Sequence, residues 1–210
     1  MPETATGQRD TPKSRRTCAR ILEEAVRVIA EQGYAATTNA AVAEAAGITR
    51  GAMLYHFPTR ESLLEGAIEY IQSRRAALFR EAADSLPPGA DVTEHAIETY
   101  WHLLHSTPFV AFAELEAASR TDPVVRALLA PSQAQFDRAQ IGDHFLKMLH
   151  AGAGPRFQAS RDLARFMLEG MARAHISYDR EERIDRLLAV IKRATHMLNR
   201  KGGVTDLWEE

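Results

Sequence analysis

The sequence is most informative over residues 37–61, where it reads TTNAAVAEAAGITRGAMLYHFPTRE. Thr38 is a favourable N-cap for a short helix over residues 39–46, because a threonine hydroxyl accepts a hydrogen bond from a free amide of the first turn. Thr49 caps a second helix over residues 50–55 in the same way. The pattern therefore predicts two very short helices that follow each other closely.

The residues around these helices indicate how they are connected. Gly47 suits a left-handed turn between them, and Phe57-Pro58 ends the second helix. Two short helices joined by such a turn are typical of a helix-turn-helix, whose second helix enters a DNA major groove. A plain corner between two helices is the alternative, and spacing alone leaves both open. Close crossing is permitted in either case by small residues: Ala41, Ala45, Ala46, Gly47, Gly51 and Ala52.

Helical periodicity continues through the rest of the chain. A first helix is expected to stop at Gly33, and Leu86-Pro87-Pro88-Gly89 is the best internal boundary. No segment of strand length alternates with a period of two, so we expect an all-α protein. Further helices are predicted near residues 64–78, 92–104, 109–120, 124–150 with a break or kink at Pro131, 160–178 and 180–200, with a linker at residues 151–155.

Composition excludes several classes of protein. With 45% hydrophobic and 26% charged residues, the 210-residue chain is not wholly disordered. Its apolar runs are shorter than the roughly 18–20 residues of a membrane helix, and residues 1–17 lack the apolar centre of a signal peptide. Cys18 is the only cysteine, which excludes an intrachain disulfide. We therefore expect a soluble, cytoplasmic protein without a membrane partner.

Charge is distributed unevenly along the chain. Residues 1–60 carry eight Lys and Arg against six Asp and Glu, whereas residues 61–210 carry eighteen against twenty-two. A basic head is compatible with nucleic-acid binding. The basic tail either adds minor-groove contacts or only solubilises the chain, and we favour the second slightly; its residues are Arg9, Lys13, Arg15 and Arg16.

A wider constellation resembles a known family. Residues from about 15 to 75 are similar to the DNA-binding head of the tetracycline-repressor (TetR/AcrR) family of bacterial transcriptional regulators. The resemblance implies a flexible basic tail over residues 1–14, a three-helix helix-turn-helix head over 15–75, and a helical ligand-binding and dimerisation body over 76–210. The matching residues are Ile21-Leu22, Gly33-Tyr34, Thr37-Thr38, Val42-Ala43, Ala46 to Gly51, Tyr55-His56-Phe57 and Glu61 to Leu64.

Three positions depart from the family's usual pattern. The short first helix carries Ala40-Ala41-Val42 where the family usually has an Asp or an Ile. Leu54 stands where an aromatic residue is frequent. Arg60 replaces the usual lysine, which keeps the positive charge and adds a planar fork suited to phosphate. The first two departures affect base preference or helix packing.

The resemblance assigns roles on the second helix. Thr49 and Arg50 open it, where base edges are nearest. Arg50 is the leading base reader, because arginine donates two hydrogen bonds to guanine O6 and N7; the alternative is a clamp on phosphate. Gly51 would let the helix backbone approach the groove.

The remaining contacts implied by the resemblance are to the DNA backbone. Thr38, at the N-terminus of the first short helix, is expected on phosphate. Tyr55 and His56 resemble the family's phosphate-contacting pair, with a helix-capping role as the alternative for His56. Arg60 is expected to contact phosphate from the start of the next helix.

For the body, the resemblance implies a homodimer and a small-molecule effector. The last two helices carry wide apolar faces interspersed with Ala164, Gly170 and Ala174, which suits a four-helix interface between two subunits. The alternative is that they are core helices of a monomer. A monomer would offer one recognition helix only, so we favour a twofold dimer on a pseudo-palindromic, double-stranded DNA operator.

A largely apolar ligand is expected to bind among aromatic and methionine side chains, although any one of them is more often plain core. The candidates are Trp101, His102, His105, Phe109, Phe112, Glu116, Phe136, Phe145, Met148, Phe166, Met167 and Met171. His102 and His105 lack a third ligand at defined spacing, so neither a metal site nor a cofactor is predicted.

The sequence thus predicts a DNA-binding regulator that is not an enzyme. Among regulators it favours a repressor, which the ligand releases from its operator. One alternative is an all-α small-molecule-binding protein or enzyme with a His/Glu site in the body. Another is a helical adaptor that has lost DNA binding, since Leu54 and the alanine-rich first helix depart from the family pattern.

Overall fold

The computed structural model describes residues 11–142, 155–174 and 181–199. Apart from a short 3-10 turn at Tyr34–Ala36, every regular element in these ranges is an α-helix, which confirms the all-α prediction. The helices are α1 (Pro12–Gln32), α2 (Asn39–Ala45), α3 (Arg50–His56), α4 (Arg60–Asp84), α5 (Val92–Leu103), α6 (Thr107–Ser119), α7 (Pro123–Gly142), α8 (Pro155–Arg173) and α9 (Glu181–Asn199).

Packing divides the chain into two compact units. Of the described residues, the N-terminal unit comprises 11–72 and 111–132, and the C-terminal unit comprises 73–110, 133–142, 155–174 and 181–199. The boundary after residue 75 between head and body stays a prediction. The separate segment within the N-terminal unit was not predicted, because the sequence does not show which helices pack together.

The N-terminal unit is held together by a densely packed, mostly aliphatic core. The amphipathic face of α1 buries Ile21 and Ile29 completely, and the segment of residues 111–132 adds Leu115 and Val125 to the same cluster. Each fully buried aliphatic side chain stabilises the fold by roughly 1.5–3 kcal/mol. The rest of the cluster comes from α2, α3 and α4, including Val42, Met53, Leu63, Leu64, Ala67 and Ile71.

The helix-turn-helix forms where it was predicted. Thr38 and Thr49 cap α2 and α3, with their hydroxyl oxygens accepting from the amides of Ala41 at 3.1 Å and Ala52 at 3.2 Å. Between the helices Gly47 has a φ of 60°, in the left-handed region that glycine enters without strain. Local sequence chemistry is therefore sufficient to define this motif.

The start of α1 differs from the prediction. Helix α1 begins at Pro12 after the N-cap Thr11, because proline is preorganised for a first helical position. Lys13, Arg15 and Arg16 are therefore helical rather than part of a tail, whereas Arg9 lies outside the described residues.

Two other proline positions were predicted to lie outside a helix or to interrupt one. Pro155 opens α8 and is not part of a linker, while residues 151–154 lie outside the described ranges. Helix α7 runs through Pro131 without a break, and the alternative of a kink stays a prediction. A helix terminus accepts proline readily, and a helix interior accepts it when packing maintains the turn.

The C-terminal unit has a second core, formed where α5, α8 and α9 pack on one another. Ile97 and Tyr100 of α5 meet Ala164 and Leu168 of α8 and Ile191 of α9. Aromatic side chains contribute more to this core than to the first one. Among the described residues, no helix combines the length and the apolar character needed to cross a bilayer.

Candidate nucleic-acid interface and internal cavity

Helix α3 is fixed from beneath by packing and from its end by a side chain of α2. Met53 is 1% exposed and Phe57 is 8% exposed, so both anchor α3 in the N-terminal core. Asn39 donates a hydrogen bond from Nδ2 to the Phe57 carbonyl at 2.7 Å. This hydrogen bond joins the start of α2 to the end of α3 and so helps to hold the two helices in their relative orientation.

The opposite surface of α3 presents the residues that the sequence singled out. Thr49, Arg50 and Gly51 are exposed at its start, and Tyr55 is 54% exposed one turn later. Within the described part of the chain, no hydrogen bond or ion pair engages Arg50. Its guanidinium is therefore available to a molecule outside the protein.

The other predicted contacts lie at the ends of the two short helices. Thr38 is exposed at the start of α2, where its hydroxyl caps the helix. His56 is partly exposed at the end of α3, with its ring edge-on to the Tyr55 ring at 5.1 Å between centroids. A protonated histidine is favoured at a helix C-terminus, so a capping role and a phosphate contact both stay open for His56.

Leu54 is a departure from the family pattern with a visible consequence. It is 40% exposed on α3 beside Tyr55. An apolar side chain at this position offers methyl groups rather than a hydroxyl to whatever approaches the helix.

Arg60 makes contacts inside the protein, and its predicted contact with phosphate stays a prediction. Its Nε donates to the Thr37 carbonyl at 2.8 Å and its Nη2 donates to the Tyr34 carbonyl at 2.8 Å. The guanidinium also lies over the Tyr34 ring, 4.4 Å from the centroid. Because two of its nitrogens hold backbone carbonyls, Arg60 positions the segment that leads into α2.

A further contact within the N-terminal unit was not foreseen. The Tyr34 hydroxyl donates to Asp122 Oδ2 at 2.7 Å, while Asp122 Oδ1 caps α7 by accepting from the amides of Val124 and Val125. The Tyr34 hydrogen bond, followed by that from Val125, lowers the pKa of Asp122, and burial together with Asp122 raises the pKa of Tyr34. Asp before Pro was the available signal, since Asp is a preferred N-cap.

The C-terminal unit contains a cavity of about 260 Å³. Its wall is aromatic and aliphatic, with charged groups at several points. The residues that line it are Arg75, Phe79, Thr93, Ala96, Ile97, Tyr100, Phe136, Asp137, Arg161, Asp162, Ala164, Arg165, Phe166, Leu168, Thr195 and Asn199.

Only part of the predicted pocket lies at this cavity. Phe136 and Phe166 line it, whereas Phe145 and Met148 lie outside the described residues. Phe109 is buried beside it, and Trp101 and Met171 pack against the same core. The helical period identified apolar faces correctly, but it does not distinguish a core face from a cavity wall.

The other candidates are not among the residues that line this cavity. Phe112 belongs to the core of the N-terminal unit and Glu116 is exposed there. Met167 is 38% exposed. His102 and His105 are exposed, and the Nδ1 of each lies within 2.8 Å of a carbonyl one turn back in the chain. The described residues contain no group of three or more His, Cys, Asp or Glu placed to hold a metal ion.

Arg75 is a charged residue of the cavity wall that is almost completely buried. It is 2% exposed, and its guanidinium lies 4.3 Å from the ring centroid of Phe136 and 5.0 Å from that of Phe109. Its Nη1 donates to Gln133 Oε1 at 3.1 Å. Burial lowers the pKa of Arg75 to about 10, so the guanidinium stays protonated at neutral pH.

A second charged group of the cavity involves Tyr100, Arg165 and Glu169. The Tyr100 hydroxyl donates to Glu169 Oε1 at 2.7 Å and Arg165 Nε donates to the same oxygen at 2.8 Å. Burial and then Glu169 raise the pKa of Tyr100. For Arg165 burial acts downwards, but the hydrogen bond and charge of Glu169 outweigh it and raise the pKa. Sequence reasoning missed these residues because charged positions on a helix usually face solvent.

Comparisons with known proteins bear on the helix-turn-helix and on the fold. A family model described as bacterial regulatory proteins, tetR family, matches residues 21–67. Over 110 residues the chain is 30% identical to the HTH-type transcriptional regulator CymR of Pseudomonas putida, which covers 52% of this chain and 54% of CymR. The chain therefore spans about half the length of this curated relative.

Solved structures show a similar fold over most of the chain. Salmonella enterica GusR aligns with a TM-score of 0.60 at 19% identity, covering 91% of this chain and 99% of GusR. The multidrug binding protein EbrR, complexed with imidazole, aligns with a TM-score of 0.56 at 21% identity, covering 87% and 94%. The curated relatives CymR and ArpR are both HTH-type transcriptional regulators, ArpR a probable one. The helix-turn-helix segment of this chain, residues 21–67, therefore matches the tetR family of bacterial regulatory proteins, and the rest of the chain shares the fold of the solved structures.

Proposed function

We propose that this chain binds operator DNA through α3 and regulates transcription. The observation that carries the proposal is the exposed guanidinium of Arg50 on a helix whose opposite side is anchored by Met53 and Phe57. Such a helix presents its side chains to a major groove without having to reorganise. Arg50 is the base reader, because its planar fork matches guanine O6 and N7.

Gly51 supports a close approach of DNA to this surface. An added Cβ at Gly51 would meet only the Thr49 hydroxyl, at 4.0 Å. Packing within the protein therefore does not require glycine here, although glycine costs a helix about 1 kcal/mol relative to alanine. Close contact with another molecule explains its presence. Thr38, Tyr55 and His56 supply the contacts to phosphate.

We propose a homodimer formed through α8 and α9. Leu163, Phe166 and Met167 lie at helical spacing on α8 and are 50%, 64% and 38% exposed. Val190 and Met197, two turns apart on α9, are 46% and 59% exposed. Large apolar side chains clustered in this way are characteristic of an interaction surface, and a twofold dimer gives the two recognition helices that a pseudo-palindromic operator requires.

The cavity of the C-terminal unit is the proposed effector site. Its volume and mostly apolar lining with a few polar groups suit a small molecule, and the similarly folded EbrR is complexed with imidazole. The regulator is most simply a repressor, in which ligand favours a conformer whose recognition helices no longer match major grooves about 34–36 Å apart. By linkage, operator DNA must then weaken ligand binding by the same factor.

Selection of duplexes from a random pool by the purified protein tests DNA binding. We expect a pseudo-palindrome whose half-sites are spaced by one helical turn or a multiple of it, with affinity that falls steeply as salt rises. Arg50→Ala is expected to relax the selected sequence, whereas Arg80→Ala, at an exposed position of α4 in the C-terminal unit, serves as the matched control. Failure of the wild-type protein to enrich any sequence at low salt would contradict the proposal.

Sedimentation equilibrium tests the dimer separately. Met197→Glu places a charge on the exposed apolar surface of α9 and is expected to shift the protein towards monomer. Glu182→Gln, at an exposed polar position of the same helix, is the control. A wild-type protein that is monomeric at micromolar concentration would rule this part out.

A further inference from the structure

The first half of α1 carries a surface on which every charge is positive. Residues 11–22 contain four Lys and Arg and no Asp or Glu, whereas residues 23–32 contain one arginine and three glutamates. Three of the basic residues, Lys13, Arg16 and Arg20, are exposed. Their spacing of i, i+3 and i+7 places them on one side of the helix. We refer to these three residues as the basic stripe.

The two halves of α1 use their charges differently. In the second half, Arg27 forms ion pairs with Glu24 and Glu31, both at 2.7 Å. In the described part of the chain, no hydrogen bond or ion pair engages the side chains of the basic stripe. Its three cations are therefore open to an anionic partner outside the protein.

The stripe is unfavourable for the helix that carries it. The free amides at the start of a helix carry a partial positive charge, so acidic residues stabilise the first turn and basic residues do not. The first turn of α1 contains no acidic residue, and Lys13 lies in it. Like charges at helical spacing also repel one another. Stability of α1 therefore does not explain the stripe, whereas binding of a polyanion does.

Packing within the N-terminal unit brings the stripe close to the DNA-binding surface. A Cβ added at Gly66 of α4 would lie 3.1 Å from Leu22 of α1 and 2.9 Å from Phe57, which follows α3. Leu22 and Phe57 thus pack over the same point of α4. Arg20 precedes Leu22 by two residues, about 3 Å along the helix axis. The stripe therefore begins near the end of α3, which carries the proposed phosphate contacts Tyr55 and His56.

The length of the stripe matches a short stretch of DNA backbone. From Lys13 to Arg20 the helix rises by about 10 Å, at roughly 1.5 Å for each residue. Along the duplex axis, each DNA strand presents a phosphate about every 3.4 Å, so about three phosphates occupy this length. The stripe is thus complementary to one strand in both the sign and the spacing of its charges.

We propose that the basic stripe of α1 binds the phosphate backbone of operator DNA beside the groove that α3 enters. This surface extends the contacts of α2 and α3, and it rests on the proposed binding of DNA by α3. The stripe contributes affinity but no sequence preference, because phosphates carry no sequence information.

Fluorescence anisotropy tests the proposal on the full chain, with a duplex selected by the wild-type protein and a series of salt concentrations. Lys13→Gln, Arg16→Gln and Arg20→Gln are each expected to reduce the slope of log affinity against log salt by about 0.9 for each bound protomer, and the triple variant by about 2.7. Arg27→Gln is the control, because Arg27 lies on the same helix but is paired. A wild-type slope in the triple variant would overturn the proposal.

Charge reversal separates binding from a structural role. The double variant Lys13→Glu, Arg16→Glu is expected to bind the duplex about tenfold or more weakly at 0.1 M salt. It is also expected to raise the midpoint of urea unfolding by about 0.3 M, since acidic side chains suit the start of a helix. Weaker binding together with a lower midpoint would contradict the proposal, because the loss would then come from the fold.

The same measurements distinguish this proposal from the proposed function. If the wild type binds no duplex at low salt, both are wrong. If Arg50→Ala relaxes the selected sequence but the triple variant keeps the wild-type salt slope, the proposed function stands and the role of the stripe is wrong. Loss of binding to phosphatidylglycerol vesicles by that triple variant would then assign the stripe to a membrane surface instead.

Discussion

The two units of this protein place positive charge in opposite ways. In the N-terminal unit, Arg50 extends from a helix whose inner side is packed with aliphatic and aromatic residues. In the C-terminal unit, Arg75 is enclosed by Phe109 and Phe136 and lines a cavity. Arg50 is open to a molecule outside the protein, whereas Arg75 is withdrawn from solvent among aromatic rings and bonded to Gln133.

Their cores differ in a related way. The N-terminal core consists mainly of aliphatic side chains that are almost entirely excluded from solvent. Around the cavity, the rings of Phe79, Tyr100 and Phe109 pack edge-to-face or stacked, with centroids 5.5–6.0 Å apart. The second core also borders the cavity, through Ile97, Tyr100 and Leu168.

The largest expected effect comes from truncating the same side chain in each core. Ile21→Ala removes a completely buried side chain from the N-terminal core and is expected to cost about 2–5 kcal/mol in the free energy of unfolding. Ile97→Ala removes one that borders the cavity and is expected at the low end of that range, because fewer contacts are lost. Urea unfolding followed by circular dichroism measures both. Equal losses would contradict the contrast between a dense and an open core.

The two arginines of the N-terminal unit separate binding from stability. Arg60→Ala removes hydrogen bonds to two backbone carbonyls and is expected to lower the free energy of unfolding by about 1.5–3 kcal/mol. Arg50→Ala is expected to leave stability unchanged and to weaken binding to a selected duplex by about 1–3 kcal/mol. Thermal unfolding and fluorescence anisotropy distinguish the two. If Arg60→Ala instead weakened binding to the duplex and left stability unchanged, Arg60 would be a DNA contact.

Two helical glycines sharpen the comparison further. An added Cβ at Gly66 would lie 2.9 Å from Phe57 and 3.1 Å from Leu22, so Gly66→Ala is expected to destabilise the protein by about 1–3 kcal/mol. At Gly170 an added Cβ meets no described atom within 4 Å, and Gly170→Ala is expected to stabilise by about 0.5–1 kcal/mol. Both are measured by denaturant unfolding. A destabilising Gly170→Ala that also weakens the dimer would place a partner subunit over this position.

The smallest effect concerns pH. The pKa of Asp122 is lowered chiefly by the Tyr34 hydrogen bond, so its contribution to stability is present above its unfolded value of about 3.9 and is lost as pH falls through the lower folded value. Asp122→Asn is expected to flatten this acid-side dependence. Unfolding measured between about pH 6 and pH 3 checks it, with Asp185→Asn, on exposed α9, as control. Identical pH profiles for the wild type and Asp122→Asn would show that this contact contributes nothing.

Local chemistry explains the parts of the structure that were predicted well. The caps Thr38 and Thr49, the left-handed Gly47 and the small residues of α2 and α3 act over a few residues, so their meaning is visible in the chain itself. The same reasoning did not reveal the contacts of Arg60 with Thr37 and Tyr34, because these partners lie more than twenty residues away in the sequence. The sequence alone does not show which acceptor an arginine side chain will bind.

The sequence by itself determined the helical fold, the helix-turn-helix and the exposed residues of α3, because caps, turns and helical periodicity are local. Only the tertiary structure decided that residues 111–132 complete the N-terminal core and that Phe136 and Phe166, rather than His102 and His105, line the cavity. It also decided that Arg75 is buried. Helical periodicity defines an apolar face, but whether that face meets a core, a cavity or another subunit depends on residues far away in the chain.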